Sequence, residues 1–136
     1  MVSPKLICSV VMIALAGAAA PASAAGTISC HSVDAEPPAV VEVTVGQLPA
    51  LVPISVWVKI GDREWNTLGG GAGATLTLMQ AFDFGQGLLI DLADPNVERV
   101  LFRIRLFSEE EARDLAVAGT LGAAGIGAFA LVCQGP

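Results

Sequence analysis

The feature that most restricts the fold of this chain is a pair of cysteines near its two ends, Cys30 and Cys133. A disulfide between them closes a loop of about 100 residues, for which chain-entropy estimates give about 4 to 5 kcal/mol of stabilisation. Bridged Cα atoms lie only about 4 to 7 Å apart, so the first and last strands must be neighbours. The pair therefore predicts a fold in which the two ends of the chain meet.

A reactive thiol is the alternative interpretation of Cys30, because His31 is adjacent and is the single histidine of the chain. Consecutive residues of a strand point to opposite faces, so Cys30 and His31 are poorly placed to act on one another. We therefore expect the disulfide, with His31 as a surface residue.

The first 24 residues have the pattern of a secretory signal peptide. A short basic segment ends at Lys5, residues 6–17 form an apolar run, and Ala22-Ser23-Ala24 supplies an A-x-A cleavage site. The run is shorter than the roughly 20 residues of a membrane-spanning helix, which disfavours a retained anchor. We expect a signal peptide over 1–24, a single exported β domain over 25–136, and a periplasmic or secreted location, where disulfides persist.

The charge balance excludes two classes of partner. Without the predicted signal peptide the chain carries 6 basic and 13 acidic side chains, a net charge of −7. Nucleic-acid binding by phosphate neutralisation needs a basic surplus, and so does charge-driven attachment to anionic membranes. We expect neither.

Alternating apolar and polar residues predict strands along most of the exported region. In 99–107, four apolar residues occupy one face, whereas the arginines lie on the other. In 54–60, Ile54 is expected to face inward together with Val56, Val58 and Ile60. The remaining predicted strands cover 27–30, 40–45, 74–79, 87–93 and 126–133.

About seven to eight short strands in a chain of this size indicate an all-β fold, a small antiparallel barrel or a sandwich. A parallel sheet would need helical crossovers, which the pattern does not contain. A barrel removes exposed edges and brings the Cys30 and Cys133 strands together, so it is the preferred architecture.

Two segments also allow a helix. Ser108 and Glu111 fit a capping box, and the three glutamates 109–111 suit a helix N-terminus, which predicts a short helix near 109–115; a solvated acidic loop is the alternative. Residues 116–132 carry no charge, so a C-terminal membrane helix is a minority alternative. The glycines of that segment favour a turn between two strands instead.

Candidate catalytic and metal-binding groups are scarce. One histidine and two bridged cysteines cannot supply a zinc site, and no G-x-S-x-G nucleophile motif occurs. The glycine-rich stretch 69–73 lacks the Lys-Ser/Thr ending of a phosphate loop and predicts a flexible loop. Asp91, Asp94 and Asn96 carry oxygens that calcium accepts, but a capped turn accounts for them without metal. We expect no enzyme activity, no cofactor and no metal.

The polar features that suggest binding are the arginines of 99–107 and one tryptophan. Arg103 and Arg105, with Arg99 before them, lie on one face and could recognise a carboxylate or phosphate. The alternative is pairing with acidic residues such as Glu42, Asp83 or Asp91. Trp57 falls among the polar positions of its strand and is a predicted contact residue.

These observations favour an exported, non-catalytic binding domain, with either a small apolar ligand in the barrel mouth or a protein as its partner. One alternative is an inhibitor of an exported enzyme such as lysozyme. In size, expected location, acidity and terminal disulfide the chain is similar to the small barrel inhibitors of lysozymes. That similarity covers no motif, and the serine- and tyrosine-bearing loop of those inhibitors has no counterpart in a chain without tyrosine. A further alternative is an envelope-assembly component.

Overall fold

The computed structural model describes residues 25–47 and 50–136, so the predicted signal peptide over 1–24 lies outside the described residues. Within these ranges the chain forms ten strands and no helix. The strands are β1 (Gly26–Ser32), β2 (Ala39–Gln47), β3 (Leu51–Ile60), β4 (Arg63–Asn66), β5 (Ala74–Thr75), β6 (Thr77–Asp83), β7 (Gly87–Ala93), β8 (Val100–Glu111), β9 (Asp114–Ala123) and β10 (Gly127–Gln134).

All ten strands belong to one sheet with the order β5-β4-β3-β2-β1-β10-β9-β8-β7-β6. Neighbouring strands are antiparallel except for the short β4–β5 pair. The sheet consists of two meanders, β1–β4 with the short parallel β5 at its edge and β6–β10, which are joined where β1 pairs with β10. It curls into a nearly closed barrel. The predicted all-β barrel is therefore confirmed, and it is a single sheet rather than a sandwich.

The period-two alternation of the sequence fills the barrel with apolar side chains. Fully buried residues recur at every second position, for example Val41, Val43 and Val45 on β2. Facing strands supply Ile90, Ile104 and Leu121 in the same way. In the described part of the chain no polar or charged residue is buried, so apolar burial provides the main driving force for closing the sheet.

The disulfide joins the first and last strands as predicted. Cys30 and Cys133 lie directly opposite each other on β1 and β10, with their Cα atoms 4.0 Å apart and their sulfurs bonded. Cys30 points into the core, whereas His31 is exposed on the outer face. A disulfide is consistent with an oxidising, exported compartment.

The helix predicted near 109–115 is wrong. The β8–β9 ladder continues to the pair Glu111–Asp114, and Ala112 and Arg113 form the turn between the strands. Ala112 has a φ of 58°, which a tight hairpin turn requires. The local capping pattern is overridden because the β8–β9 ladder continues through the acidic run and pairs it with β9.

The segment 116–132 forms most of β9, a turn and most of β10, so the membrane-helix alternative is also wrong. Gly125 occupies the turn with a φ of 73°, as expected for a glycine between two strands. The described residues contain no helix with the length and hydropathy that crossing a membrane requires.

The inward orientation predicted for Ile54 is wrong as well. A β-bulge shifts the β2–β3 register between Thr44 and Val45, so that Ser55 pairs with Thr44 and Pro53 pairs with Val45. Ile54 is the extra residue and is 57% exposed. Beyond the bulge, Val56, Val58 and Ile60 are buried as predicted. One inserted residue changes the face that a side chain occupies.

The barrel closes incompletely between β3 and β6, a region that we call the seam. No ladder joins these two strands in the described residues. At one end of the seam, the carboxylate of Asp83 accepts a hydrogen bond from the backbone N–H of Leu51 at 2.7 Å. This end, at which β1 begins and β10 ends, we call the terminal end of the barrel.

Candidate functional site

A cavity of about 250 Å³ opens at the terminal end of the barrel, and we call it the end cavity. The starts of β1, β3, β7 and β9 and the ends of β6, β8 and β10 surround it. Its apolar side chains are those of Ile28, Leu51, Leu88, Leu106, Phe107, Leu115, Val117 and Pro136. The end cavity therefore continues the apolar barrel core to the surface.

The lining is divided into a buried floor and an accessible rim. Ile28, Leu88 and Leu106 form the floor and are at most 3% exposed. On the rim, Leu51 is half-buried and Leu115 is 51% exposed. A molecule entering the end cavity would therefore pass Leu115 and contact an aliphatic surface that is already in place, without the need to open the core.

Asp83 and Ser108 are the polar side chains of the lining. Both carboxylate oxygens of Asp83 are held by the backbone, because Oδ2 accepts from Leu51 N and Oδ1 accepts from Gly85 N, each at 2.7 Å. These bonds fix the direction of the carboxylate, and no basic residue of the described lining neutralises its charge. Asp83 thus gives an apolar cavity one ordered negative group.

A second acidic feature adjoins the end cavity. Residues 109–114, which we call the acidic hairpin tip, carry Glu109, Glu110, Glu111 and Asp114 against a single Arg113. All six residues are exposed. Leu115, on the rim, pairs with Glu110 across the hairpin. The tip therefore places a group of carboxylates beside the entrance.

Three phenylalanines are exposed on the outer face of β6–β8, and we call them the aromatic patch. Phe82 is 55%, Phe84 40% and Phe107 56% exposed. The rings of Phe84 and Phe107 meet edge to face with centroids 5.9 Å apart. Exposed aromatic clusters are typical of contact surfaces.

Of the predicted contact residues, Arg105 is engaged within the sheet. Its guanidinium bonds the carboxylate of Asp91 at 2.7 Å and donates to the carbonyl oxygens of Ile90 and Ile104. This is the pairing with an acidic neighbour that was the alternative interpretation of the arginines. Arg103, on the same outer face, is exposed.

Trp57 and the arginines are not brought together. Trp57 is half-buried on β3, opposite Glu42 of β2, whereas Arg103 lies on β8. Four strands separate β3 from β8 in the sheet order. Their role as contact residues stays a prediction, and the geometry gives them no common site.

The remaining candidates are accounted for by local structure. Asp94 Oδ1 accepts from the backbone N–H of Glu98 at 2.8 Å and so caps the β7–β8 turn, which also contains Asn96. In the loop 67–73, Asn66 Oδ1 accepts from Gly69 N at 2.7 Å. Across the described residues, no group of three or more His, Cys, Asp or Glu side chains is arranged to hold a metal ion.

Sequence reasoning did not single out the residues of the end cavity. Leu51 lies outside the predicted strand 54–60, and Leu115 fell in the predicted helix. Asp83 was considered only as a partner for arginine. The acidic run 109–111 was recognised but assigned to a helix start. Because the end cavity depends on seven strand ends meeting, no local pattern marks it.

Comparisons of the chain with models of protein families, with curated proteins and with solved structures find no match.

Proposed function

We propose that this protein is an exported, non-catalytic binding domain, periplasmic or secreted, whose end cavity receives a small apolar ligand. The observation that carries the proposal is the end cavity itself. It has an aliphatic floor, it is open to solvent past Leu115, and its volume is about 250 Å³. Ligand sites are typically concave and apolar with few polar groups.

The volume sets the size of the ligand. Apolar cavities of about 150 Å³ accept benzene, and sites for drug-sized molecules begin at about 300 Å³. The end cavity lies between these sizes. Its ligand is therefore a single ring system or a short alkyl chain, with any remaining part of the molecule outside the rim.

The chemistry around the cavity supports binding rather than catalysis. Ser108 and Asp83 lie among its polar lining, and the single histidine, His31, is on the outer face of β1 and does not line it. Asp83 is already bonded to two backbone amides. General acid–base chemistry needs a proton-transfer group free to reach the reacting atoms.

The test is fluorescence titration of residues 25–136 with N-phenyl-1-naphthylamine, which brightens in apolar surroundings, followed by displacement with octanol. We expect saturable binding at one site. Leu51→Phe fills the rim and Leu115→Gln removes apolar contact; each is expected to weaken binding roughly tenfold, the equivalent of about 1.4 kcal/mol.

Leu68→Gln is the matched control, since Leu68 is 76% exposed in the loop after β4 and does not line the end cavity. It should bind the dye as the unsubstituted protein does. Equal affinity in Leu51→Phe, Leu115→Gln and Leu68→Gln, or no saturable binding, would contradict the proposal.

A protein partner is the second candidate, favoured by the aromatic patch. Under this proposal the chain is an inhibitor of an exported enzyme such as lysozyme, or an envelope-assembly component. Phe82 and Phe107 would then be central contacts, because exposed aromatic residues dominate many interfaces. A Phe82→Ser variant, which leaves the cavity-lining Phe107 in place, should lose inhibition of a purified lysozyme while still binding the dye. If neither protein inhibits lysozyme, that version of the candidate is excluded.

A further inference from the structure

We propose that the ligand of the end cavity is a small amphiphilic cation, with its apolar group inside the cavity and its amine or ammonium group at the acidic rim. This inference rests on the proposed function and adds the charge of the ligand to it. It is carried by the acidic groups that adjoin an otherwise apolar cavity.

Among the described residues, the lining supplies negative charge and no positive charge. Asp83 lies in the wall, and none of the described lining residues is Lys, Arg or His. Backbone N–H groups hold both oxygens of Asp83 in place. A cation at the rim would meet an ordered carboxylate, whereas a carboxylate ligand would meet a like charge with no basic partner to offset it.

The acidic hairpin tip increases the same preference. Alternation along β8 places Glu110 on the same face as Ser108, which lines the cavity. In the β8–β9 register, Glu110 is opposite Leu115 on the rim. Glu110 is therefore the carboxylate of the tip that is directed to the cavity side of the hairpin. Its neighbours Glu109 and Glu111 extend the negative potential outward.

The charged group and the apolar group of such a ligand are expected to occupy different parts of the site. A buried ion needs a partner, so the charged group of an amphiphile stays at the solvated rim while the apolar group occupies the aliphatic floor. Opposite charges at the rim attract even in water, and salt weakens this attraction. The cavity therefore selects for apolar character and the rim for positive charge.

The experiment compares three eight-carbon probes by calorimetric titration at pH 7.5: octyltrimethylammonium, octanol and octanoate. In 20 mM salt we expect the ammonium to bind about tenfold more tightly than octanol, and octanoate to bind more weakly than octanol. At 0.5 M salt the preference for the ammonium should fall below about threefold, since the Debye length shrinks to a few Å.

Two variants locate the charge. Glu110→Gln should reduce the preference for the ammonium over octanol at least threefold and leave octanol binding unchanged. Glu98→Gln, an exposed glutamate before β8 at the opposite end of the barrel, is the control and should retain the full preference. Leu51→Phe should weaken the binding of both probes.

The outcomes separate this inference from the proposed function. If octanol binds but octanoate binds as tightly as the ammonium, the inference about charge is wrong and the apolar site remains. If the ammonium binds equally well to Leu51→Phe, it is held by surface carboxylates outside the cavity and the inference is also wrong. If no probe binds, the proposed function fails.

Discussion

Gly119 occupies a position of β9 at which the backbone of the neighbouring strand leaves no room for a side chain. A Cβ atom there would overlap the carbonyl oxygen of Arg105 on β8. Gly122, three residues further along β9, is different, because a Cβ would find its nearest atoms at 3.8 Å. A side chain therefore does not fit at Gly119, whereas the space at Gly122 allows one.

Gly119→Ala is expected to destabilise the fold by about 1 to 3 kcal/mol, the usual cost of overpacking, because backbone rather than a flexible side chain must move. Gly122→Ala should be neutral or stabilising, since alanine restricts the unfolded chain and meets only ordinary contacts. Urea unfolding midpoints of both variants test this difference. Equal midpoints for the two variants would show that β8 and β9 are not in such close contact.

For single residues, the sequence predicted the position correctly where disulfide pairing or side-chain polarity decides it. Cys30 and Cys133 were predicted to be bridged because export and their positions near the chain ends favour it. Ile54 was placed on the wrong face because a bulge depends on the register of two strands. A pattern read along one strand does not contain that register.

Between elements, the weakest connection of the barrel is the seam between β3 and β6. The carboxylate of Asp83 accepts a hydrogen bond from Leu51 N across the seam. It also accepts one from Gly85 N, which stabilises the turn after β6. One side chain thus provides hydrogen-bond acceptors for two backbone N–H groups at the terminal end.

Asp83→Ala removes both bonds and leaves the part-buried N–H of Leu51 without its partner. A lost partner of this kind costs about 1 to 3 kcal/mol. We expect that loss in urea unfolding, together with faster amide hydrogen exchange at Leu51. Asp114→Ala, which removes an exposed carboxylate opposite Glu111 at the same end, is the control. It should change stability little, and a comparable loss in both variants would contradict the role of Asp83.

Strand alternation predicted most elements, and the expected disulfide between the first and last strands favoured the barrel over the sandwich. It did not predict β9 as a strand in its own right, because the small residues of 116–123 have low β propensity and weak alternation. The capping box at Ser108 gave a local signal for a helix, whereas the pairing of Glu110 with Leu115 decides the structure. Pairing between neighbouring strands therefore decides both segments, and a pattern along one segment does not contain it.

In the molecule as a whole, the disulfide reinforces the β1–β10 ladder that joins the two halves of the sheet into one barrel. Cys30 and Cys133 hold β1 to β10, the junction between the β1–β5 and β6–β10 halves. Both cysteines are also part of the buried core. Their bond restrains the unfolded chain as well as the native junction.

Cys30→Ala with Cys133→Ala is expected to lower the unfolding free energy by about 4 to 5 kcal/mol, the chain-entropy value for a loop of about 100 residues. Such a loss is a large part of the 5 to 15 kcal/mol typical of a domain. Thermal unfolding with and without reductant provides the measurement. Reductant should lower the melting temperature of the unsubstituted protein and leave the double variant unaffected. An unchanged melting temperature on full reduction would contradict this account.

The end cavity is the whole-molecule feature that the sequence could not reveal. Leu51, Leu88 and Leu115 come from three different strands and meet only after the sheet has curled and closed through β1 and β10. An apolar site in a barrel mouth was predicted as a class. Its position, and the acidic groups beside it, depend on which strand ends the closure brings together.

The most direct test of the account is a methyl NMR titration of residues 25–136, labelled at Leu and Val, with octanol. We expect saturable shifts at methyls of the end cavity, those of Leu51, Leu88 and Leu115. The methyls of Leu68 and Val97, both exposed and outside the cavity lining, should not shift. Shifts confined to such surface methyls, or no shift at saturating octanol, would show that the end cavity is not the binding site.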